Sequence, residues 1–357
     1  MKIAVGMSGG VDSSVAALLL KEQGHEVIGL SMSLWDGADS PSSHRRNACY
    51  GPDEKMDIAE AEQICRILGI PFQVIDCSGQ YREKVLTYFR EEYLSARTPN
   101  PCVVCNHKIK FGTLLSKARS AGMEFDIFAT GHYAIVEYDA DTGRYLLKKG
   151  RDSKKDQSYF LYMLSQAQLQ KALFPLGTMT KDEVRNIAKG AGLPVSAKEE
   201  SQDFYEGNYR DLLDVNDTEG DIVHVDGRVL GRHKGIWNYT PGQRRGLSVS
   251  NPEPLYVVKL DGRYNRVIVG TKDDTLVSSF TVRDVNWIAI HKISRKFTAA
   301  VKTRYAQTEM QSDIDMTNPF NVRVTPYEKI ESVSPGQSAV FYDGDVIIGG
   351  GIIEKVS

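Results

Sequence analysis

Ser8-Gly9-Gly10-Val11-Asp12-Ser13-Ser14 stands between a short apolar run, Lys2 to Met7, and a helix-patterned run, Val15 to Gln23. A glycine-rich turn in that position reads as a phosphate loop. The glycines let backbone N–H groups approach an anion, the serine hydroxyls add donors, and the helix start presents unpaired N–H groups and a positive dipole end. Asp12 is the odd member, because a carboxylate facing phosphates makes sense chiefly as a ligand for Mg2+. No lysine follows the glycines, so the loop departs from the GxxxxGK[ST] pattern and a kinase-like or GTPase-like reading is disfavoured. The bland alternative is an ordinary strand-to-helix turn with Ser13 as its N-cap.

Outward from the loop, strand and helix patterns alternate: KIAVGM, a helix to Gly24, EVIGLSMSLW, a helix from Asp57 to Leu68, PFQVID, a helix through Tyr81 to Tyr93, and DIFATGHYAIVEY. Short buried strands alternating with amphipathic helices predict a parallel sheet covered on both faces. Ligands bind such sheets beyond the carboxyl ends of the strands, where the loops 8–14, 33–56, 77–80 and 131–133 lie. From Asn208 the texture turns to β, with turn signals at Asp226-Gly227, Pro241-Gly242, Asp261-Gly262 and Asp343-Gly344. A break near Gly270 to Leu276 divides this half. The expected fold class is α/β: an N-terminal parallel-sheet domain over 1–207, a small mostly β central domain over 208–273, and a C-terminal β-barrel over 274–357. RVIVG, TAAVKTRY, FNVRVT, SAVFYD and VIIGGGII are assigned to that barrel.

A chain of 357 residues exceeds one ordinary domain, and 41% hydrophobic with 25% charged residues is a globular balance. The N-terminus enters a strand without a signal-peptide layout, and no apolar run approaches the roughly 20 residues of a membrane span. A cytoplasmic location with no membrane partner is expected. A net charge of −2 argues against non-specific coating of nucleic acid but leaves room for local basic patches. Arg144, Lys148, Lys149, Arg151, Lys154 and Lys155 form one patch; Lys292, Arg295, Lys296, Lys302 and Arg304 form another. A solvated face is the ordinary fate of such runs. Five cysteines in a chain this long do not make a disulfide framework.

SGGVDSS resembles the signature of the ATP pyrophosphatases. The resemblance narrows with Thr98-Pro99-Asn100-Pro101-Cys102-Val103-Val104-Cys105-Asn106, followed by Lys108 to Phe111, Gly131-His132-Tyr133, Lys155 to Tyr159, Glu200-Ser201-Gln202-Asp203, Thr240 to Leu247 and Pro335 to Phe341. Together these are similar to the tRNA-specific 2-thiouridylases, almost from end to end. The first domain would then be an adenine nucleotide α-hydrolase-like, ATP pyrophosphatase-loop domain. Members of that family use ATP to replace the C2 oxygen of the wobble uridine (position 34) of tRNA with sulfur, releasing AMP and pyrophosphate.

The resemblance implies that Gly6, Met7, Ser8, Gly9, Gly10, Val11, Asp12, Ser13, Met32 and Gly131 hold ATP with Mg2+. It implies that Asn100, Pro101 and Cys102 border the target base, and that Cys105, Cys102 and Asp12 carry the chemistry. Lys155, Asp156, Gln157, His132, Arg304, Tyr305 and Gln337 match positions that contact tRNA, which lifts both basic patches above the solvated-face reading. An upstream sulfur donor, either a persulfide carrier or sulfide, is implied as a partner.

One departure matters. Many relatives place a second catalytic cysteine two residues after ESQD, and here that position is Tyr205, which cannot carry sulfane sulfur. Cys102 stands where such relatives commonly carry an aspartate, and Cys49 lies in a loop expected at the same sheet edge as SGGVDSS. Two routes are open: a [4Fe-4S] cluster on Cys49, Cys102 and Cys105, or a Cys102/Cys105 persulfide pair with Cys49 a bystander. A structural zinc site is disfavoured by the single CxxC. Cys65, on one apolar face with Ile58, Ala61 and Leu68, is expected in the core, as is Cys77 at a strand end. His25, His44, His107, His224 and His233 show no metal spacing. Competing classes are another adenylating ligase or synthetase, for which no glutaminase-type domain is visible, and a non-catalytic RNA-binding protein, against which Asp12 and the CxxC argue.

Overall fold

The computed structural model describes residues 1–37, 48–198, 203–205, 207–290, 295–318 and 321–357. His44, Asn47, Glu200 to Gln202 and Lys292 lie outside them. The chain forms two units. The first comprises Met1–Leu86, Pro101–Asp211 and Asp345–Ile347; the second comprises Thr87–Asn100, Leu212–Gly344 and Ile348–Ser357.

The first unit begins β1 (Lys2–Gly6), α1 (Val11–Glu22), β2 (Glu26–Ser33), β3 (Ala48–Tyr50), α2 (Glu54–Leu68) and β4 (Phe72–Asp76). Ile3, Ala4 and Val5 are wholly buried, as a central parallel strand requires. Val15, Ala16 and Leu20 of α1 and Ala61, Ile64, Cys65 and Leu68 of α2 pack in the same core. Each fully buried Val or Leu there contributes about 1.5–3 kcal/mol. Helix α2 stops at Gly69, whose φ of +61° supplies the left-handed cap.

The helix expected through Tyr81 to Tyr93 forms with a wide-turn interruption. It runs as α3 (Ser78–Tyr81), a π-turn segment over Arg82–Leu86, and α4 (Thr87–Leu94), the last belonging to the second unit. Next comes one helical stretch built of α5 (Pro101–Val104), a π-helix over Cys105–Thr113, and α6 (Leu114–Ser120).

DIFATGHYAIVEY forms two strands, parted at the loop expected over 131–133. β5 (Ile127–Ala129) joins the parallel sheet, whereas β6 (Ala134–Asp139) pairs antiparallel with β7 (Arg144–Lys149). Between them Gly131 presses on the start of α1, where a Cβ would lie 2.7 Å from the Asp12 carbonyl carbon and 2.8 Å from Ser13 N. Helix α7 (Gln166–Leu169), β8 (Ala172–Leu173), α8 (Lys181–Gly190) and β9 (Asp203–Tyr205) follow. The sheet order is β4-β2-β1-β5-β8, every pairing parallel, and β3 pairs with β9 apart from it.

The second unit holds two β modules. β10 (Gly220–His224), β11 (Val229–His233), β12 (Tyr256–Asp261) and β13 (Arg266–Gly270) make a sheet in the order β11-β10-β13-β12. RVIVG is β13 of this sheet and not a barrel strand, because its parallel partner is β10. β14 (Leu276–Val277) pairs with β19 (Ile330–Glu331). The closed six-strand barrel consists of β15 (Phe280–Trp287), β16 (Lys296–Lys302), β17 (Met310–Asp315), β18 (Val322–Pro326), β20 (Ser338–Asp343) and β21 (Val346–Val356), in the order β15-β18-β17-β16-β20-β21, with β15 meeting β21. Alternating burial along β18 turns Val322 and Val324 inward onto Phe280, Ile314 and Phe341. Among the described residues no helix is long and apolar enough to cross a membrane.

Candidate active site

The loop between β1 and α1 is shaped by its glycines and serines. Gly9 adopts φ +69°, and a Cβ there would lie 2.6 Å from the Asp57 carbonyl oxygen. Gly10 is the extended N-cap of α1 and has no side chain to occupy the helix's first N–H groups. Ser13 is not that cap. Its Oγ instead donates to Gly10 O (3.1 Å), accepts from Ser8 N (3.2 Å) and meets Ser8 Oγ (3.2 Å), closing the loop on itself. Open N–H groups at a helix start, with no competing cap, are suited to an anion.

Asp12 is not a bare carboxylate. Lys181 Nζ donates to both of its oxygens at 2.8 Å, and Tyr133 Oη donates to Oδ1 at 2.8 Å. Lys181 is the buried first residue of α8. Lys198 Nζ reaches Asp57 Oδ1 (2.7 Å), Glu60 and the Gly9 carbonyl (3.4 Å), bracing the back of the loop against α2. Glu54 accepts from Leu34 N (2.6 Å), Trp35 N and Ser33 Oγ beyond the end of β2, and burial pushes its carboxyl up. Lys181, Tyr133, Lys198 and Glu54 were not singled out as site residues from sequence. The missing lysine of the loop was the only hint, and Lys181 comes from far along the chain.

The thiols sit on the interrupted helix. Cys102 is exposed, and Cys105, at the first π-helical residue, is partly covered. Gln168 Nε2 donates to the carbonyls of His107 (2.9 Å) and Phe111 (3.0 Å), and Asn106 Nδ2 to Phe160 O (3.2 Å), holding the widened turns. Burial pushes the Cys105 thiol up to about 11; Lys110 acts against this, while Cys49 and Cys77 add to it. Tyr81 is fully buried, and burial first, then Cys105, Cys49, Cys102 and Tyr50, raise its phenol well above its ordinary value. Tyr205 is 1% exposed, with its ring 6.0 Å from that of Tyr50, which stacks 5.1 Å from Tyr81. Register pairs Tyr50 with Tyr205, so exposed Cys49 lies on the strand beside the one that carries Tyr205. Cys65 and Cys77 are wholly buried, their thiols raised by burial to about 12 and about 11.

Met32 lies on β2 in register with Ile75 of β4. Gly131 touches Asp12 and Ser13, and Gly6 packs on Phe128 and Thr130. His132 lies against Phe111 and Phe174 with Nδ1 2.6 Å from Thr130 Oγ1, and burial holds it well below the ordinary histidine range. It is therefore a neutral ring at neutral pH. Asp156 is buried, accepting from Gly150 N, Ser158 N and Ser158 Oγ. Gln157 exchanges two hydrogen bonds with the Tyr133 backbone, and Lys155 N donates to Asp152 O. The first basic patch is partly neutralised, by Lys148–Glu137 at 2.6 Å and Arg151–Glu183 at 3.2 Å.

In the second unit, Lys296 pairs with Asp315 at 3.2 Å. Tyr305 is 37% exposed. Arg304 Nη2 donates to Pro241 O (2.5 Å), Ser332 O (2.9 Å) and Ser334 Oγ (2.8 Å). Gln337 Nε2 donates to the carbonyls of Thr98 and Pro99, directly before the buried Asn100.

The fold and loop together define a nucleotide-using α/β domain carried with two β modules. Residues 1–205 match the family model described as a tRNA methyl transferase HUP domain, 213–271 a tRNA methyl transferase PRC-barrel domain, and 277–353 an aminomethyltransferase beta-barrel domain. The chain is 47% identical to the tRNA-specific 2-thiouridylase MnmA of Endomicrobium trichonymphae, covering 99% of each chain. It is 46% identical to MnmA 1 of Caldanaerobacter subterraneus subsp. tengcongensis, covering 99% of this chain and 98% of that one. It is 44% identical to MnmA of Halothermothrix orenii, with 99% of each covered. The chain belongs to the tRNA-specific 2-thiouridylase family.

Proposed function

We infer that the protein is an ATP-dependent tRNA sulfurtransferase that converts the wobble uridine to 2-thiouridine. The observation that carries this reading is the presence, within one unit, of an uncapped glycine-serine loop and of Cys102 and Cys105 one helical turn apart. A uracil C2 carbonyl is a poor electrophile. Its oxygen would attack the α-phosphorus of ATP and expel pyrophosphate, after which sulfur adds at C2 and AMP leaves. Gly9, Gly10 and the serines would cradle the phosphates, with Met32 and Gly131 bordering the adenosine. Asn100, Pro101 and Cys102 would border the base, and Lys155 to Gln157, His132, Arg304, Tyr305 and Gln337 would meet tRNA.

Mg2+ is commonly held by one or two carboxylates together with substrate phosphates, and here the ion would share the Asp12 oxygens with Lys181 Nζ and Tyr133 Oη. Asp12 would hold it, and bound there it would offset the charge of the departing pyrophosphate. A [4Fe-4S] cluster does not fit the arrangement as it stands: among the described residues no three His, Cys, Asp or Glu groups are gathered closely enough to hold a metal. The thiol pair supports the other route. A donor protein would leave a persulfide on Cys105, whose terminal sulfur attacks C2. Cys102 then attacks Cys105 Sγ, the S–S bond breaks, 2-thiouridine is released, and a Cys102–Cys105 disulfide remains for an external dithiol to reduce. Residues i and i+3 are neighbours on a helix, as this exchange requires.

The test is nucleoside mass spectrometry of tRNA incubated with ATP, a persulfide donor and anaerobically purified protein, with iron and zinc analysis of the same preparation. Cys102→Ser and Cys105→Ser should abolish 2-thiouridine, and Cys49→Ser should retain it in iron-free protein. Loss in all three variants together with bound iron would restore the cluster. ATP turnover that needs no tRNA would return the chain to the ligase-like reading.

A further inference from the structure

Thr98-Pro99-Asn100-Pro101 leads into the helix that bears Cys102 and Cys105, and its composition sets a physical problem. Pro99 and Pro101 have no N–H, so the stretch cannot be held by a regular ladder, and proline also restricts the residue before it to extended backbone. Thr98, Pro99 and Asn100 are nevertheless buried. Buried carbonyls in such a stretch need donors from elsewhere.

The barrel loop Pro335-Gly336-Gln337 supplies them. Gln337 Nε2 donates to Thr98 O at 3.2 Å and Pro99 O at 2.7 Å, one carboxamide serving two consecutive carbonyls. Thr98 N donates in return to Pro335 O at 2.8 Å. Between them, Gly336 has φ +92°, and a Cβ would fall 2.7 Å from Glu92 Oε2, 2.8 Å from Thr98 O and 2.9 Å from Thr98 N. The loop is itself anchored. Gly336 N donates to Ile353 O and Ile353 N to Gln337 O, both at 2.8 Å, while Arg304 grips Ser332 O and Ser334 Oγ just upstream. At the far end of the stretch, Asn100 N donates to Tyr88 Oη at 3.1 Å.

We propose that Pro335-Gly336-Gln337 is a clamp that fixes the approach to the site cysteines, and that Gln337 is a positioning residue for sulfur transfer. This rests on the sulfurtransferase reading for its kinetic consequence, but not for its structural one. Glutamate at 337 has the same shape and offers two carbonyls an acceptor in place of donors; alanine at 336 needs space that Thr98 occupies.

The experiment uses the full chain with Gln337→Glu, Gly336→Ala and, should either fail to fold, Gln337→Ala. Three quantities are read: amide hydrogen exchange across residues 95–105 without tRNA, the tRNA Kd, and the single-turnover thiolation rate at saturating tRNA and ATP. The clamp predicts at least tenfold faster exchange at the Thr98 and Asn100 amides. It also predicts a single-turnover rate lowered on the order of 10- to 100-fold, the usual effect of a small misplacement of reacting groups, and because tRNA is saturating a change in the tRNA Kd does not account for that loss. Unchanged exchange at Thr98 with a weaker Kd and an unchanged rate would overturn it, leaving Gln337 a tRNA contact alone. If the parent protein makes no 2-thiouridine, the function reading fails, and the exchange result alone still upholds or removes the clamp.

Discussion

Lys181 Nζ lies 2.8 Å from both carboxylate oxygens of Asp12, joining the first residue of α8 to the loop between β1 and α1. A cation at a helix N-terminus opposes the dipole, and a buried ammonium needs a partner. Asp12 is therefore a structural counter-ion in addition to its expected role at the phosphates. Its side chain keeps 28% exposure, so breaking the pair should cost less than the ~3–5 kcal/mol of a fully buried one. We expect Asp12→Ala to abolish tRNA-dependent pyrophosphate release and to lower stability in urea by roughly 2 kcal/mol. Adding Lys181→Met to it should restore part of that loss, because a buried ammonium that has lost its carboxylate is removed with it. A stability unchanged by Asp12→Ala would show the pair to be of no consequence to folding.

The two site thiols should differ in their reactivity toward an alkylating agent. Cys105 is raised from 9.0 to about 11, so its thiolate is a small minority at neutral pH and grows until the solution passes that value. In tRNA-free protein, alkylation by iodoacetamide should mark exposed Cys102 first, with Cys105 climbing roughly tenfold per pH unit toward pH 11. Peptide mass spectrometry resolves the two sites. A Cys105 rate that levels off at or below pH 9 would mean that its surroundings do not hold the proton.

Tyr205 should be replaceable by phenylalanine and not by cysteine. Its ring extends the stack of Tyr50 and Tyr81. Tyr205→Phe keeps that packing, and we expect a stability loss of about 1 kcal/mol or less with thiolation retained. Tyr205→Cys introduces a thiol but empties the site of a fully buried ring, costing about 3 kcal/mol or more. An inactive Tyr205→Phe that folds and binds tRNA would give the phenol a direct part in the reaction.

For the barrel, Lys296→Glu is a cleaner probe than any change at Arg304, whose guanidinium holds Pro241, Ser332 and Ser334. Lys296 is 74% exposed despite its ion pair with Asp315. Charge reversal there should weaken tRNA binding and lower the slope of log affinity against log salt by about 0.7–0.9 for each phosphate that is no longer neutralised, without changing ATP affinity. Filter binding over a salt series measures both, and an unaltered slope would return this patch to a solvated face.

Much of the molecule was legible in the sequence because the deciding signals are local. A glycine pair between an apolar strand and a helix needs no distant partner to be read, and the run of motifs from SGGVDSS to PGQSAVFY carried the family. Alternation of strand and helix announced the parallel sheet, and the dipeptide turns announced the β half. The misreading is where a distant contact overrode a local pattern: RVIVG suits either β module until β10 claims it.

The amino-acid order by itself determined the glycine-serine loop, the CxxC, a tyrosine at position 205 and the family. Only the tertiary structure decided that Lys181, far along the chain, neutralises Asp12 and that Cys49 lies on the strand beside Tyr205. It likewise decided that Cys105 holds its proton to about 11 and that Gln337 grips the carbonyls before Asn100. The physical reason is common to all four. Charge neutralisation, desolvation and the satisfaction of buried carbonyls depend on which groups come within a few ångströms of one another, and residues distant in sequence are brought that close only by the packing of the folded chain.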